Sequence, residues 1–158
     1  MARPTALIVD DDLEFQQKWL TRIARACLPG WQIHTEDTLE GALALIPHLP
    51  NLRVAIVDLY LTVPATGREG LQVVNAIRRT NKSCYTILVS SKVKRWEGIS
   101  GKDPVDKFVS LVYESDEEPE AILQSALTKA RMSVDFPDAK RWTERVSDSS
   151  LALGHPTK

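Results

Sequence analysis

Apolar residues along the chain fall into short runs that alternate with stretches of helical spacing. Thr5 to Val9 is an apolar run rich in β-formers, closed by Asp10-Asp11-Asp12, and it reads as a strand buried on both faces. From Leu13 to Leu28 the spacing turns helical, with Phe15, Trp19 and Ile23 on one row and Leu20, Ala24 and Cys27 on the adjoining one. Pro29-Gly30 stops that helix. Trp31 to Thr35 alternates as a second strand. Asp37 with Glu40 forms a capping box that opens a helix from Thr38 to about Ile46, and Pro47 and Pro50 end it.

The same alternation continues. Val54-Ala55-Ile56-Val57 is a third buried strand, closed by Asp58. A loop holding Pro64, Gly67 and Gly70 leads to a helix outlined by Leu71, Val74, Ile77 and Arg78, ending near Thr80. Tyr85 to Val89 is a fourth strand, closed by Ser90-Ser91. The stretch from Lys92 to Pro104 is basic and glycine-broken, with room for one or two helical turns around Trp96. Phe108 to Val112 is a fifth strand. Ser115 and Glu118 form a second capping box, with Pro119 tolerated in the first turn of a helix that runs to about Met132. Beyond it, Asp135-Phe136-Pro137 opens a short helix at most, with Trp142 and Val146 on one face, and the polar end is loose.

Strand followed by helix, repeated to the fifth strand, predicts an α/β fold with a parallel sheet and helices on both faces. Parallel neighbours need crossover connections, and helices supply them. In such sheets the ligand site lies beyond the carboxyl ends of the strands. The polar residues that close each strand therefore become the candidates.

Composition narrows the class. The 158 residues suit one domain plus a modest extension, and 43% hydrophobic residues are enough for a globular core. The net charge of −1 gives no general pull toward nucleic acid or an anionic membrane. Cys27 and Cys84 sit in apolar segments without a metal-ligand pattern and read as buried thiols of a reducing compartment. The apolar run after Met1-Ala2-Arg3-Pro4 is too short for a signal segment or a span, so a cytoplasmic location is expected.

Strand one ends in Asp10, Asp11 and Asp12, strand three in Asp58 and strand four in Ser90. Carboxylates gathered on one edge repel one another, and a hard divalent cation such as Mg²⁺ relieves that repulsion. The cation would neutralise an incoming phosphoryl group and let a carboxylate act as nucleophile, with the Ser90 hydroxyl on a phosphoryl oxygen. Plainer readings stand beside this. Asp12 reads as the cap of the following helix, and Asp58 or Ser90 alone would be ordinary turn residues. The combination on three strand ends is what makes a site.

The segments Ala6-Leu7-Ile8-Val9-Asp10-Asp11-Asp12, Val54-Ala55-Ile56-Val57-Asp58-Leu59-Tyr60-Leu61, Gly70-Leu71-Gln72-Val73-Val74-Asn75-Ala76-Ile77-Arg78 and Thr86-Ile87-Leu88-Val89-Ser90-Ser91 resemble the response-regulator receiver family in order and spacing. The resemblance covers about Thr5 to Met132. It implies the flavodoxin-like, doubly wound, five-stranded parallel sheet of order 2-1-3-4-5, with a receiver domain over residues 1–133 and an extension or linker over 134–158. It implies Asp58 as phospho-acceptor, Asp10 and Asp11 as the acidic pair with Asp11 a direct Mg²⁺ ligand, and the Tyr60 carbonyl as a further ligand. Ser90 matches the switch hydroxyl and Phe108 the switch aromatic. The implied partners are a sensor histidine kinase or phosphotransfer protein and a downstream protein, with a homodimer left open. No direct nucleic-acid or membrane contact, and no enzymatic turnover, is expected.

Two departures mark this chain. Leu111 stands where the family carries a lysine at the end of strand five, so Lys92 or Lys94 becomes a candidate substitute in space, while Lys107 lies before the strand. The loop Leu61-Thr62-Val63-Pro64-Ala65-Thr66-Gly67-Arg68-Glu69-Gly70 is also longer than the family's. The missing lysine keeps a second reading open, a pseudo-receiver that signals through protein contacts without phosphotransfer. A phosphatase of the haloacid-dehalogenase type needs a second acid two residues after the nucleophile, and that position is Tyr60. Gly98-Ile99-Ser100-Gly101-Lys102 lacks the spacing and the preceding strand of a phosphate-binding loop. Too few residues follow Met132 for a helix-turn-helix, and no basic stripe appears.

Overall fold

The computed structural model describes residues 3–61, 67–93, 105–112 and 118–135. In chain order these form β1 (Thr5–Val9), α1 (Gln16–Cys27), β2 (Gln32–Glu36), α2 (Leu39–Leu45) with a 3-10 turn at Ile46–His48, β3 (Leu52–Asp58), α3 (Glu69–Thr80), β4 (Tyr85–Ser90), β5 (Lys107–Ser110) and α4 (Pro119–Asp135). All the strand pairings are parallel, and the order is β2-β1-β3-β4-β5, as expected.

Side chains alternate across a strand, so each central strand feeds two cores. Ala6, Ile8, Val54, Ile56, Ile87 and Val89 face α1 and α4, meeting Leu20, Ile23, Leu123 and Leu127. Leu7, Val9, Ala55, Val57 and Leu88 face α2 and α3, meeting Ala42, Val73, Val74 and Ile77. β1 is buried along its whole length, which is why its sequence is a continuous apolar run. β2 lies at the edge, and its residues are exposed or half-buried.

Several boundaries differ from expectation for local reasons. α1 begins at Gln16 rather than Leu13, because Asp12 first caps a turn. Its Oδ1 accepts the Phe15 N–H at 3.2 Å, and its carbonyl accepts the Gln17 N–H at 2.9 Å. Phe15 therefore leaves the buried row and stands 73% exposed. At α2 the cap is Thr38 and not Asp37: the Thr38 Oγ1 accepts the Gly41 N–H at 2.9 Å. After α1 the chain turns at Gly30, whose φ of 83° suits glycine. β5 starts one residue early, at Lys107, and ends at Ser110 rather than Val112. α4 continues to Asp135, a few residues past the end expected near Met132. Ser115, Lys94, Trp96, the expected fourth helical stretch, and the tail with Trp142 and Val146 lie outside the described residues.

An ion pair ties α3 to the start of β5. Arg78 Nη2 meets Asp106 Oδ2 at 2.5 Å, and the same carboxylate accepts the Thr86 N–H at 2.8 Å. This pins the short fifth strand against β4. Among the described residues no helix is long and apolar enough to cross a membrane.

Candidate functional site

β1 and β3 are neighbours in register, with Val9 opposite Val57. The next residue on each strand is an aspartate, so Asp10 and Asp58 emerge side by side at the carboxyl edge. Asp10 is fully buried and Asp58 is 8% exposed. Asp11 follows at the rim, half-buried. Carboxylate oxygens of Asp10, Asp11 and Asp58 all lie within 4.8 Å of one another. The trio expected from strand ends is thus brought together.

Each buried carboxylate is held twice. Asp10 Oδ1 accepts the Asp12 N–H at 2.9 Å, and Asp58 Oδ1 accepts the Tyr60 N–H at 3.3 Å. The remaining oxygens share one donor, the Gln16 side-chain amide. Its Nε2 lies 2.5 Å from Asp10 Oδ2 and 3.2 Å from Asp58 Oδ2. The next residue, Gln17, donates its amide to the carbonyls of Asp10 at 3.0 Å and Glu36 at 3.3 Å, pinning the start of α1 to β1 and β2. Sequence reasoning passed over both glutamines. The available signal was a pair of amide side chains placed just after the acidic run, where the helix begins.

Burial raises the Asp58 carboxyl to about 7, the Asp10 charge adds to the rise, and the Tyr60 N–H and Gln16 oppose it. Burial likewise lifts Asp10 to about 6, against the Asp12 N–H and Gln16. Asp11 is raised too, by desolvation first, while the Lys92 charge lowers it. Lys92, just past β4, thus lends positive charge to the rim of the cluster at Asp11. A compact, all-oxygen, electron-rich donor set of this kind suits a hard divalent cation.

The other expected residues surround this centre. Ser90 closes β4, fully buried, and its Oγ accepts the N–H groups of Lys92 at 3.0 Å and Val93 at 3.1 Å. Asp58 pairs with Val89 across the sheet, which puts Ser90 one residue further out. Phe108 is half-buried and, like Tyr60 and Val93, packs against the core on the α2–α3 side. Leu111 follows β5 directly. Its N–H donates to the Ser90 carbonyl at 2.7 Å, and its side chain packs toward the α1–α4 side. Leu111 also lines an open groove of about 620 Å³ together with Asp12, Phe15, Gln16, Trp19 and Pro119.

Gly70, in the first turn of α3, touches the back of the site. A Cβ there would run into the Asp58 carbonyl oxygen and come within 2.8 Å of Leu59 Cα. Its N–H donates to the Leu59 carbonyl at 2.9 Å. Glycine is what allows α3 to approach the Asp58 turn this closely.

No family model matches the sequence, and no curated protein matches it either. Solved structures do. The response regulator domain of Thermotoga maritima CheB superposes with a TM-score of 0.60 at 18% identity, covering 85% of this chain and 98% of that one. A two component transcriptional regulator AraC from Clostridium phytofermentans gives 0.60 at 21% identity, covering 87% and 98%. The CheX-CheY-BeF3-Mg+2 complex from Borrelia burgdorferi gives 0.56 at 23% identity, covering 83% and 88%. At such identities the likeness speaks to architecture, and it agrees with the strand order and the two-sided core found here. The chain has the CheY-like receiver-domain fold.

Proposed function

We propose that this chain is a signal receiver that accepts a phosphoryl group on Asp58 with the help of a divalent cation, Mg²⁺ by its chemistry. The observation that carries the reading is the gathering of the Asp10, Asp11 and Asp58 carboxylates within 4.8 Å at the carboxyl edge of a parallel sheet. Asp10, Asp11, Asp58 and the Tyr60 carbonyl would hold the cation, with Asp11 a direct ligand from the rim. When bound, the cation neutralises charge on the incoming phosphoryl group.

The residues of the chain then have distinct tasks. An Asp58 oxygen forms a bond to phosphorus as the bond from phosphorus to the donor's leaving group breaks, and the leaving group takes that electron pair. Ser90 already uses its oxygen to accept two backbone N–H groups, so its O–H is the group left to donate to a phosphoryl oxygen. Phe108, packed against the α2–α3 core, is the aromatic whose repacking would carry the change outward. The donor would be a sensor histidine kinase or phosphotransfer protein, and the readout a protein contact that differs between the two states. The Borrelia CheY was solved with CheX, which supports protein partners for this fold. The chain would then be the recipient of transfer, with no turnover chemistry of its own. The receiver lies within about residues 1–133, followed by an extension.

One observation favours a second reading. Leu111, packed toward the α1–α4 side, follows strand five where a lysine is expected. A pseudo-receiver that binds partners without phosphotransfer fits that fact. Intact-mass measurement separates the two after incubation with a small-molecule acyl phosphate and Mg²⁺. A gain of one phosphoryl group in the wild type, absent in Asp58→Asn, supports the first reading. No gain in the wild type supports the second.

A further inference from the structure

We infer that Gln16 is a latch on the cation site: its side-chain amide bridges Asp10 and Asp58 in the resting chain and must let go of both before a divalent cation can bind. This rests on the cation site proposed above and adds a residue that sets how readily it fills.

The hydrogen-bond assignments carry the inference. On each buried aspartate one oxygen is already tied to backbone, Oδ1 of Asp10 to the Asp12 N–H and Oδ1 of Asp58 to the Tyr60 N–H. The oxygens not tied to these backbone donors are the two Oδ2 atoms. Both are occupied by the same nitrogen, Gln16 Nε2, at 2.5 and 3.2 Å. An N–H donor and a cation compete for the same lone pairs, and each carries positive charge toward the other. A cation bridging these oxygens therefore displaces the amide.

The surroundings let the side chain leave without moving the helix. Gln17 holds the start of α1 to the carbonyls of Asp10 and Glu36, independently of Gln16. Gln16 is half-buried and borders the open groove it shares with Phe15, Trp19 and Leu111. The released amide rotates into that solvent-filled space. Because the latch is neutral, it satisfies the lone pairs of the two carboxylates without neutralising their charge. The site stays closed while retaining its attraction for a cation.

The test is a Mg²⁺ titration of the metal-free full chain, wild type and Gln16→Leu, followed by backbone and side-chain amide resonances. Thermal melts check that the variant is folded, and Gln16→Ala serves if Gln16→Leu is not. The latch predicts that the Gln16 side-chain NH₂ signals move to solvent-like positions as Mg²⁺ binds. It also predicts that the variant binds Mg²⁺ about tenfold more tightly, the scale of one hydrogen bond to a charged acceptor. Binding by the variant alone would support the latch in its strongest form. A wild type that binds Mg²⁺ with static Gln16 signals, or a variant that binds no more tightly, overturns the latch and leaves the cation site standing. Absence of binding in both chains overturns the cation site itself, and the latch with it.

Discussion

Asp10 and Asp58 close adjacent parallel strands one step beyond the Val9–Val57 pair, and one amide nitrogen serves an oxygen of each. Two buried carboxylates placed this way resist ionising together. Much of the behaviour expected of the chain follows from that pairing.

The first consequence is a pH dependence of stability. Asp58 titrates at about 7 and Asp10 at about 6 in the folded chain, both raised from 3.8, with burial the largest cause. A raised folded pKa means that the native state holds the proton more tightly than the unfolded state. The contribution is full below about pH 4 and is lost as pH rises through about 6 to 7. The metal-free chain should therefore show a falling urea midpoint from about pH 5 to about pH 8. Asp58→Asn removes one of the two charges and should stabilise the metal-free chain at about pH 8 by on the order of 2–4 kcal/mol. Near pH 4 it should change little. Equal or lower stability of Asp58→Asn at about pH 8 would contradict the account of burial.

A divalent cation should reverse this penalty. Mg²⁺ binding to the native state alone adds about 2.7 kcal/mol at a hundred times its Kd. The melting temperature at about pH 8 should rise by several degrees with Mg²⁺, and the rise should vanish in Asp11→Asn and Asp58→Asn. Near pH 5 protons compete for the same oxygens, so the effect should shrink. Circular-dichroism melts across pH and Mg²⁺ concentration read both points.

Gly70→Ala should damage the fold close to Asp58. The added methyl meets the Asp58 carbonyl and Leu59 Cα, which are backbone atoms that cannot rotate away. A cost of about 2–3 kcal/mol is expected from overpacking of this kind. Denaturant unfolding measures it, and a change within about 0.5 kcal/mol would show that α3 gives way easily.

Asp106→Ala should loosen β5. The Arg78–Asp106 pair is itself partly exposed, with side chains 26% and 33% accessible, so its charge–charge part is small. The larger effect is on buried Thr86, whose N–H bonds to the same carboxylate. A loss of about 1–2 kcal/mol is expected, with faster amide exchange at Thr86 than at Leu88. Unchanged exchange at Thr86 would show that the tie is dispensable.

The sheet was legible because its central strands are buried on both faces and so read as unbroken apolar runs closed by polar residues. The site was legible for the same reason: once β1 and β3 are neighbours, Asp10 and Asp58 must meet. Asp12 as a capping residue was legible from its place before a helix. What escaped depends on side chains reaching between elements. Phe15 sits on the helical row by spacing, but the Asp12 turn takes it out of the helix and into solvent. Thr38 displaces Asp37 as cap by a one-residue shift that periodicity does not register. Gln16 contacts Asp58 across 42 residues of chain, a partnership that no local pattern encodes. Lys92 follows Ser90 closely in sequence, and its charge acts on Asp11 at the rim of the cluster, a relation that spacing does not register.

The most direct measurement of the central claim is chemical localisation of the phosphoryl group. The chain is treated with an acyl phosphate and Mg²⁺, then with borohydride, which reduces an aspartyl phosphate to homoserine. Peptide sequencing by mass spectrometry reads where homoserine stands. The account predicts homoserine at position 58 and its loss when Mg²⁺ is withheld. Homoserine at another aspartate, or none in a chain shown to be folded and Mg²⁺-loaded, would contradict it.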